Sequence, residues 1–295
     1  MSRIALALIA LALAPLAAQA LGIDCPERVP EGTAFVVTLR AEADTDSIVV
    51  DWLGKTLRPA LATTDKARVA RLVLGLGMHE RLEGDRHNLR VRAWQGGVET
   101  LLVRPIAREP RAYPEQHLTV ESKYSELSAA DLARTEREQL RTRETLARVS
   151  ASSDWPLPLS PPVAGDKSSD FGLRRFFNGE AKSPHSGLDL RAAGGTPVAA
   201  CADGTVALAE EHFYAGNSIY LDHGDGLFTL YFHLSAIGVK PGDLVKRGEI
   251  IGRAGATGRV TGPHLHLGVS AQGQLVDPAL LLASPPAAAD APAKP

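Results

Sequence analysis

A histidine and an aspartate four residues apart in the C-terminal half have the types and spacing of metal ligands. They lie in the stretch Pro-His-Ser-Gly-Leu-Asp at 184–189, where Pro184 and Gly187 disfavour a helix. In an extended chain alternate side chains share a face, so His185 and Asp189 would lie on one face with Gly187 between them. The missing side chain at Gly187 would leave an open space between the imidazole and the carboxylate, and a metal ion could fill it.

A second pair of histidines lies in an alternating pattern at 263–269, Pro-His-Leu-His-Leu-Gly-Val. Strand alternation places His264 and His266 on one face and Leu265 and Leu267 on the other. The leucines would enter the core, and the two imidazoles would project together into a cleft. Because burial of two unpaired imidazoles is costly, such a pair predicts a chemical role.

A third stretch, Tyr-Phe-His-Leu at 231–234, predicts Tyr231 and His233 on one strand face, with Phe232 and Leu234 on the other. A lone histidine in a strand is more often structural than catalytic, so each stretch by itself is a weak indication. The three stretches in this order within one domain are a far more specific indication of a metal site.

The motifs resemble those of the lysostaphin-type (LytM-type) murein metalloendopeptidases. The resemblance covers about residues 165–280 and leaves the N-terminal region unassigned. The motifs that carry it are His-Ser-Gly-Leu-Asp at 185–189, Tyr-Phe-His-Leu-Ser at 231–235 and Gly-Pro-His-Leu-His at 262–266, with flanking matches at 169–174, 195–198 and 255–258.

Carried over position by position, the resemblance implies that His185, Asp189 and His266 are the ligands of a Zn²⁺ ion. Three protein ligands leave a fourth position open for water, as in catalytic zinc sites. The resemblance also implies that His264 and His233 are the remaining active-site histidines. One would take a proton from the attacking water, and the other would stabilise the oxyanion or protonate the leaving amine. We favour His264 as the base because it lies two residues from a ligand.

The resemblance further implies a secreted zinc metalloendopeptidase that hydrolyses peptide bonds in peptidoglycan stem peptides or cross-links. The alternative is a non-catalytic protein that binds murein or regulates an amidase, as relatives that have lost ligands do. All five histidine and aspartate positions are kept here, which favours the enzyme. A third possibility is a latent enzyme, in which the N-terminal domain or a linker helix covers the cleft.

The C-terminal elements that must position these residues are short strands. A proline-rich segment at 156–162 marks a domain boundary, and an antiparallel β-sheet zinc peptidase domain is predicted over 155–283, with a disordered Pro/Ala-rich tail at 284–295. The domain contains no convincing long helix. Its predicted strands are Thr196–Ala200, Gly204–Ala209, Ser218–Asp222, Phe228–His233, Ile250–Ala254 and His264–Ser270.

The N-terminal region is predicted to be a β-sandwich-like accessory domain at 21–106, joined by a linker at 107–154. The linker is expected to be irregular at 107–124 and then to form an exposed helix at about 128–149, with Ser128 as its N-cap. The predicted fold class is therefore mainly β, with a helical linker between two β domains. The predicted strands of the sandwich are Thr33–Arg40, Ser47–Trp52, Ala67–Leu74, Asn88–Trp94 and Glu99–Val103.

The first twenty residues have the pattern of a cleaved signal peptide. Arg3 supplies a positive charge, residues 4–16 are almost wholly apolar, and Ala18-Gln19-Ala20 fits a small-x-small cleavage site. The expected location is therefore outside the cytoplasm, in the periplasm, with no membrane span after removal of the signal. An uncleaved membrane anchor is the less favoured alternative, since the apolar stretch is short for a bilayer span.

Composition limits the class of partner and the role of cysteine. The hydrophobic content of 44% is that of an ordinary globular protein, and the net charge of −2 with no basic region argues against nucleic acid as a partner. Peptidoglycan is the partner implied by the resemblance, and protein partners are left open. Cys25 and Cys201 exclude a disulfide-rich scaffold; one bond or two free thiols remain possible.

The other histidines have simpler interpretations. His87 is predicted to lie in a solvated loop with His79, His212 in a loop at the cleft edge, and His223 in a hairpin turn. The segment 174–178, Arg-Arg-Phe-Phe-Asn, either borders the substrate groove or forms a surface loop with an aromatic anchor.

Overall fold

The protein is represented by a computed structural model, in which the chain is mainly β with one α-helix among the described residues. The predicted fold class is therefore confirmed. The predicted signal peptide 1–20 and the predicted tail 284–295 lie outside the described residues. The structure describes residues 21–64, 66–78, 85–118, 127–151, 156–177, 179–181 and 183–283.

The N-terminal part is a sandwich of a four-stranded and a five-stranded sheet. Alternate residues of its strand Thr33–Ala41 are buried, as expected for a strand with one face on a core. Buried residues of both sheets form one hydrophobic cluster, which includes Val37, Trp52 and Val91. In spatial order the first sheet contains β1 (Leu21–Asp24), β3 (Thr33–Ala41), β7 (Arg68–Leu76) and β6 (Ala62–Thr63), and the second contains β2 (Arg28–Pro30), β9 (Val98–Glu109), β8 (Arg86–Gln95), β4 (Ser47–Trp52) and β5 (Lys55–Leu57).

His87 belongs to this sandwich and not to a solvated loop. It is buried in β8, and its ring lies edge-on to the Trp52 indole with 6.3 Å between centroids. The prediction of a loop is wrong because β8 already begins at Arg86, so strand alternation turns His87 inward. His79 lies outside the described residues.

The first part of the linker has regular structure. Strand β9 continues to Glu109, and β10 (Glu115–Leu118) pairs in parallel with β12 (Arg174–Phe177). The prediction of an irregular chain at 107–124 is therefore wrong for these residues. Local sequence could not show the pairing, since the partner strand lies in the other domain.

The predicted linker helix is present as α1 (Ala129–Leu146). The Oγ of Ser128 accepts the Asp131 N–H at 3.1 Å, as predicted for an N-cap residue. The helix ends at Leu146, three residues before the expected boundary. Leu132 and Leu140 are exposed, and Leu146 is buried.

The C-terminal part is built on a ten-stranded sheet whose strand pairs are all antiparallel. Its main path has the order β11-β14-β21-β18-β17-β16-β19, while β15 pairs with β20, β20 with β18, and β22 with β21. A separate hairpin pairs β12 with β13 (Glu180–Ala181). The strands of the large sheet are β11 (Lys167–Ser169), β14 (Leu188–Leu190), β15 (Pro197–Ala199), β16 (Gly204–His212), β17 (Gly216–Asp222), β18 (Leu227–Ile237), β19 (Leu244–Val245), β20 (Ile250–Ala254), β21 (Leu265–Ala271) and β22 (Gln274–Val276), and a 3-10 helix follows at Pro278–Leu280.

The large sheet has two different faces. Leu265 and Leu267 of β21 lie in the main hydrophobic core, as their alternation predicted. The opposite face carries a smaller cluster, in which Leu146 of α1 packs with Tyr220, Phe228 and other apolar side chains of the sheet. The linker helix therefore lies on the sheet face opposite the core.

The N-terminal sandwich contacts the far end of β21. Gln272, just after this strand, donates through Nε2 to the Val73 carbonyl at 2.9 Å and accepts from the Gly75 N–H at 3.0 Å. Gln272 follows His266 by six residues, or about 20 Å along an extended strand. These contacts therefore anchor the sandwich at a distance from the histidines, and they do not support the idea that it covers them.

Cys25 and Cys201 are both free thiols. Cys201 is buried in the main core, and burial raises its pKa to about 12. In the part of the chain that the structure describes, no helix is both long and apolar enough to cross a membrane.

Candidate metal centre

Three side chains converge where β14 and β21 pair. Asp189 lies opposite His266 in the register of the two strands. His185 precedes β14 and is held at its backbone, because its N–H donates to the Leu173 carbonyl at 2.9 Å and its carbonyl accepts the Gly172 N–H at 2.8 Å. The local sequence therefore places one candidate ligand on each strand and one on an adjoining anchored segment.

The three polar atoms form a nearly equilateral triangle. His185 Nε2 lies 3.0 Å from Asp189 Oδ1 and 3.0 Å from His266 Nδ1, and the latter two atoms are 2.9 Å apart. Zinc bonds of about 2.0–2.2 Å place tetrahedral ligand atoms roughly 3.3 Å apart, so only a small expansion is needed. Two imidazoles and a carboxylate are also a common ligand set for zinc, and the residues therefore fit this ion.

Backbone carbonyls fix which ring nitrogen of three histidines carries the proton. The Nδ1–H of His185 donates to the Asp170 carbonyl at 2.6 Å, that of His264 to Gly262 at 2.9 Å, and that of His233 to Thr257 at 2.9 Å. Because a carbonyl oxygen only accepts, each neutral ring keeps an unprotonated Nε2. His185 directs its Nε2 at the triangle, whereas His266 offers Nδ1.

Gly187 has a different role from the predicted one. A Cβ at this position would collide with the His266 imidazole and with the Leu267 carbonyl. The space next to Gly187 is therefore filled by a ligand ring and not reserved for the ion. The glycine allows β14 and β21 to approach closely enough for the three ligand atoms to meet.

Gly187→Ala is expected to weaken zinc binding by about 10- to 100-fold, because the added methyl group displaces the His266 ring. Competition with a fluorescent chelator measures this affinity. Gly194→Ala is the matched control, since a Cβ there meets no atom within 4 Å. An unchanged affinity in Gly187→Ala would show that the close approach is not needed.

The electrostatics of the triangle suit a cation. Burial raises the pKa of the Asp189 carboxyl, but its close polar contacts with the His185 and His266 rings outweigh burial and leave this pKa far below its usual range. Burial lowers the pKa of His266. The charge states are therefore an ionised carboxylate and a neutral imidazole, which are the forms that bind metal.

His233 reaches the site through a β-bulge. Tyr231 and Leu234 both enter the main core, and the single residue Ser218 of β17 faces two residues of β18 between them. His233 has a φ of 63°, in the left-handed region. The predicted common face of Tyr231 and His233 is therefore wrong, because the extra residue breaks the alternation.

Two neighbouring aromatic rings of β18 lie at the metal triangle, because the bulge turns His233 to the same face as Phe232. Phe232 stacks on His266 with 5.3 Å between centroids and an angle of 1° between planes. The ring of His233 lies 5.0 Å from that of His264. Phe232 was not predicted as a site residue; alternation alone placed it on the opposite face from His233.

His264 and His233 differ in their environment. The Nε2 of His264 lies 3.6 Å from Asp189 Oδ1, and its side chain is 19% exposed. Burial, together with repulsion from His266, lowers the pKa of His233 to about 3. The structure thus brings all five predicted residues into one site, with His264 at its more open side.

Arg175 is a further charged group at this site. Its Nη2 lies 3.7 Å from Asp189 Oδ2, the carboxylate oxygen that does not face the histidines. The sequence left segment 174–178 as either a groove border or a surface loop. The structure supports the first alternative for Arg175, a position at the border of the groove. The hairpin of β12 and β13 places it there, and the spacing of residues in the sequence did not predict this hairpin.

His212 and His223 lie outside the site. His212 is the last residue of β16 and is buried, with Nε2 at 3.0 Å from Glu210, so the predicted loop is wrong. His223 lies in the predicted turn between β17 and β18, and its Nδ1 donates to the Asp203 carbonyl at 2.7 Å. The hydrogen bonds of these two buried rings explain why histidine stands at both positions, with no role at the metal site.

Comparison with known proteins agrees with this geometry. Residues 183–278 match peptidase family M23. The peptidoglycan DD-endopeptidase ShyA of Vibrio cholerae is 45% identical over 111 residues, covering 37% of this chain and 26% of ShyA. The DD-carboxypeptidase/endopeptidase Mpg of Neisseria meningitidis is 42% identical over 120 residues, covering 41% of this chain and 28% of Mpg. The matches thus span about a quarter of the length of these curated relatives.

One solved structure resembles most of the chain. A Pseudomonas aeruginosa protein described as peptidase M23 superimposes with a TM-score of 0.62 and 27% identity, covering 85% of this chain and 94% of that one. The similarity therefore extends beyond residues 183–278 to the N-terminal sandwich and linker. The match to peptidase family M23 therefore covers most of the C-terminal domain and includes all five candidate site residues.

Proposed function

We propose that this protein is a zinc metalloendopeptidase that hydrolyses peptide bonds in peptidoglycan stem peptides or cross-links. The observation that carries the proposal is the convergence of His185 Nε2, Asp189 Oδ1 and His266 Nδ1 next to two further histidines. The substrate class is supported by the names of two relatives, the peptidoglycan DD-endopeptidase ShyA and the DD-carboxypeptidase/endopeptidase Mpg. A D-alanyl cross-link is therefore the bond we expect to be cut.

Each residue has a definite task in this proposal. His185, Asp189 and His266 would hold zinc, which supplies Lewis acidity towards water and the scissile carbonyl when bound. The unprotonated Nε2 of His264 would accept a proton from the attacking water and return it to the leaving amine. His233, whose low pKa makes it a poor base, would orient the water by accepting a hydrogen bond through Nε2.

The cellular setting is part of the same proposal. The apolar segment at the N-terminus supports export through a cleaved signal peptide, and the substrate lies outside the cytoplasmic membrane. We therefore place the protein in the periplasm, with peptidoglycan as its partner. A non-catalytic role in murein binding or amidase regulation is the competing hypothesis, and the following experiment separates the two.

The test is digestion of a defined cross-linked muropeptide dimer, with products identified by mass. We expect the zinc-loaded protein to give two monomers whose summed mass exceeds that of the dimer by one water. A chelator should stop the reaction, and added zinc should restore it. Binding of murein without cleavage would favour the non-catalytic role, whereas cleavage that survives effective chelation would refute the zinc mechanism.

A further inference from the structure

Helix α1 lies outside residues 183–278 but packs on the sheet face that carries the candidate site. Thr142 Oγ1 lies 3.3 Å from the Tyr220 hydroxyl. The Tyr220 ring is 5.5 Å from that of Phe232, which in turn stacks on His266. A continuous row of side chains therefore connects the linker helix with a candidate metal ligand.

The same helix fixes the loop that supports His233. Glu138 accepts the Phe213 N–H at 2.8 Å, and the Arg134 guanidinium lies over the Phe213 ring at 5.8 Å. Two residues further along, the Ala215 carbonyl accepts the His233 N–H at 2.9 Å. The helix and the loop at 213–215 thus form a wall that ends at the candidate catalytic histidines.

A cavity of about 360 Å³ lies between the helix and this loop. That volume is within the range of small-ligand sites. Its helical lining follows one face of α1, because the lining positions are spaced by three or four residues. The lining includes Thr135, Glu138, Thr142 and Arg143 of the helix, with Tyr214 and Ala215 of the loop.

Arg143 is the cation of this cavity that is free to bind a ligand. Glu138 is engaged by Arg134 at 2.7 Å and by the Phe213 N–H, and Glu210 pairs with Arg141 at 3.1 Å. Arg143 is exposed and makes no ion pair with any residue that the structure describes. An arginine in this position suits a carboxylate, which it can bind through two parallel hydrogen bonds.

We propose that the cavity is a substrate subsite, in which Arg143 binds a carboxylate of an acidic peptide whose scissile bond lies at the metal centre. The inference rests on the proposed function, since stem peptides of peptidoglycan carry free carboxylates. Helix α1 is then one wall of the substrate groove and not a cover over it. Arg143 is a specificity-determining residue that acts on binding and leaves the chemical step unchanged.

The test compares kcat and KM of the full-length zinc protein on a muropeptide dimer and on the same dimer with its carboxylates amidated. Arg143→Ala should raise KM for the acidic dimer about three- to ten-fold with kcat unchanged, as expected for loss of a bidentate ion pair that solvent partly screens. Arg143→Lys should restore part of this loss. The amidated dimer should not distinguish Arg143→Ala from the wild type. Arg137→Ala, on the opposite face of α1, is the matched control and should behave as wild type.

Other results would overturn the subsite. These are an Arg143→Ala variant that behaves like Arg137→Ala, a fall in kcat at constant KM, or a rise in activity, which would mean that the helix covers the site. Titration of the dimer into His264→Ala separates the two proposals. If no protein cleaves the dimer, but the dimer binds the double variant Arg143→Ala/His264→Ala more weakly than it binds His264→Ala, the proposed function fails and the subsite stands. If wild type and Arg143→Ala cleave the dimer with the same KM, the proposed function stands and the subsite fails.

Discussion

Asp189→Ala is expected to abolish stoichiometric zinc binding and to lower kcat/KM on a muropeptide dimer by at least about a thousand-fold. Asp189 Oδ1 is the atom within 3.0 Å of both His185 Nε2 and His266 Nδ1, and it carries the one negative charge of the ligand set. Its removal leaves two buried imidazoles facing each other with no anion to attract a cation. Elemental analysis of the purified variant measures zinc directly, and product analysis measures activity.

The control for this variant is Asp170→Ala. The Asp170 carboxylate pairs with Lys167 at 2.6 Å at the surface, while the contact of this residue with His185 is made by its backbone carbonyl, which the substitution keeps. Asp170→Ala should therefore retain one zinc ion and most of its activity. Full zinc content and activity in a folded Asp189→Ala protein would show that the metal is held elsewhere.

The second large effect is expected from His264→Ala, which should lower kcat by about 10²- to 10⁴-fold, the usual contribution of a general base. Zinc content should stay at one ion per chain, because the Nε2 of His264 lies 3.6 Å from Asp189 and outside the triangle of ligand atoms. His233→Ala should also keep its zinc and should lose less activity, since a residue that orients water contributes less than the base. These kcat values are measured by quantifying the products of zinc-loaded proteins at fixed reaction times.

His117→Ala controls for the general loss of a histidine. His117 stacks on Phe176 with 4.6 Å between centroids, and it lies on the linker strand β10. Its removal should leave kcat near the wild-type value. The assignment of His264 as the base would be wrong if His264→Ala kept kcat within a few-fold of wild type, or if His233→Ala lost more activity than His264→Ala did.

The sequence predicted β18 and β21 at the candidate site, because each has a buried face that fixes which residues point inward, but it did not predict the short strand β14 that carries Asp189. In β21, Leu265 and Leu267 had to enter the core, and this alone set the direction of His266. The failure at His233 has an equally physical cause. A bulge adds one residue to β18, and no residue type at 231–234 predicts that a histidine there has a left-handed φ.

Local sequence patterns could not predict features that depend on pairing between segments far apart in the sequence. The parallel pairing of β10 with β12 joins residues of the linker to residues of the peptidase domain. The hairpin of β12 and β13 places Arg175 next to Asp189, and the contact of Gln272 with Val73 joins the C-terminal part to the N-terminal sandwich. The helix α1 was predicted from its cap and composition, but its position against Tyr220 follows from tertiary packing alone.

The central claim is that His185, Asp189 and His266 hold one zinc ion. A crystal of the zinc-loaded protein, measured on both sides of the zinc absorption edge, tests it most directly. We expect one anomalous peak about 2.0–2.2 Å from His185 Nε2, Asp189 Oδ1 and His266 Nδ1. A zinc-loaded crystal with no peak between these atoms, or with its single peak at another group of residues, would contradict the claim.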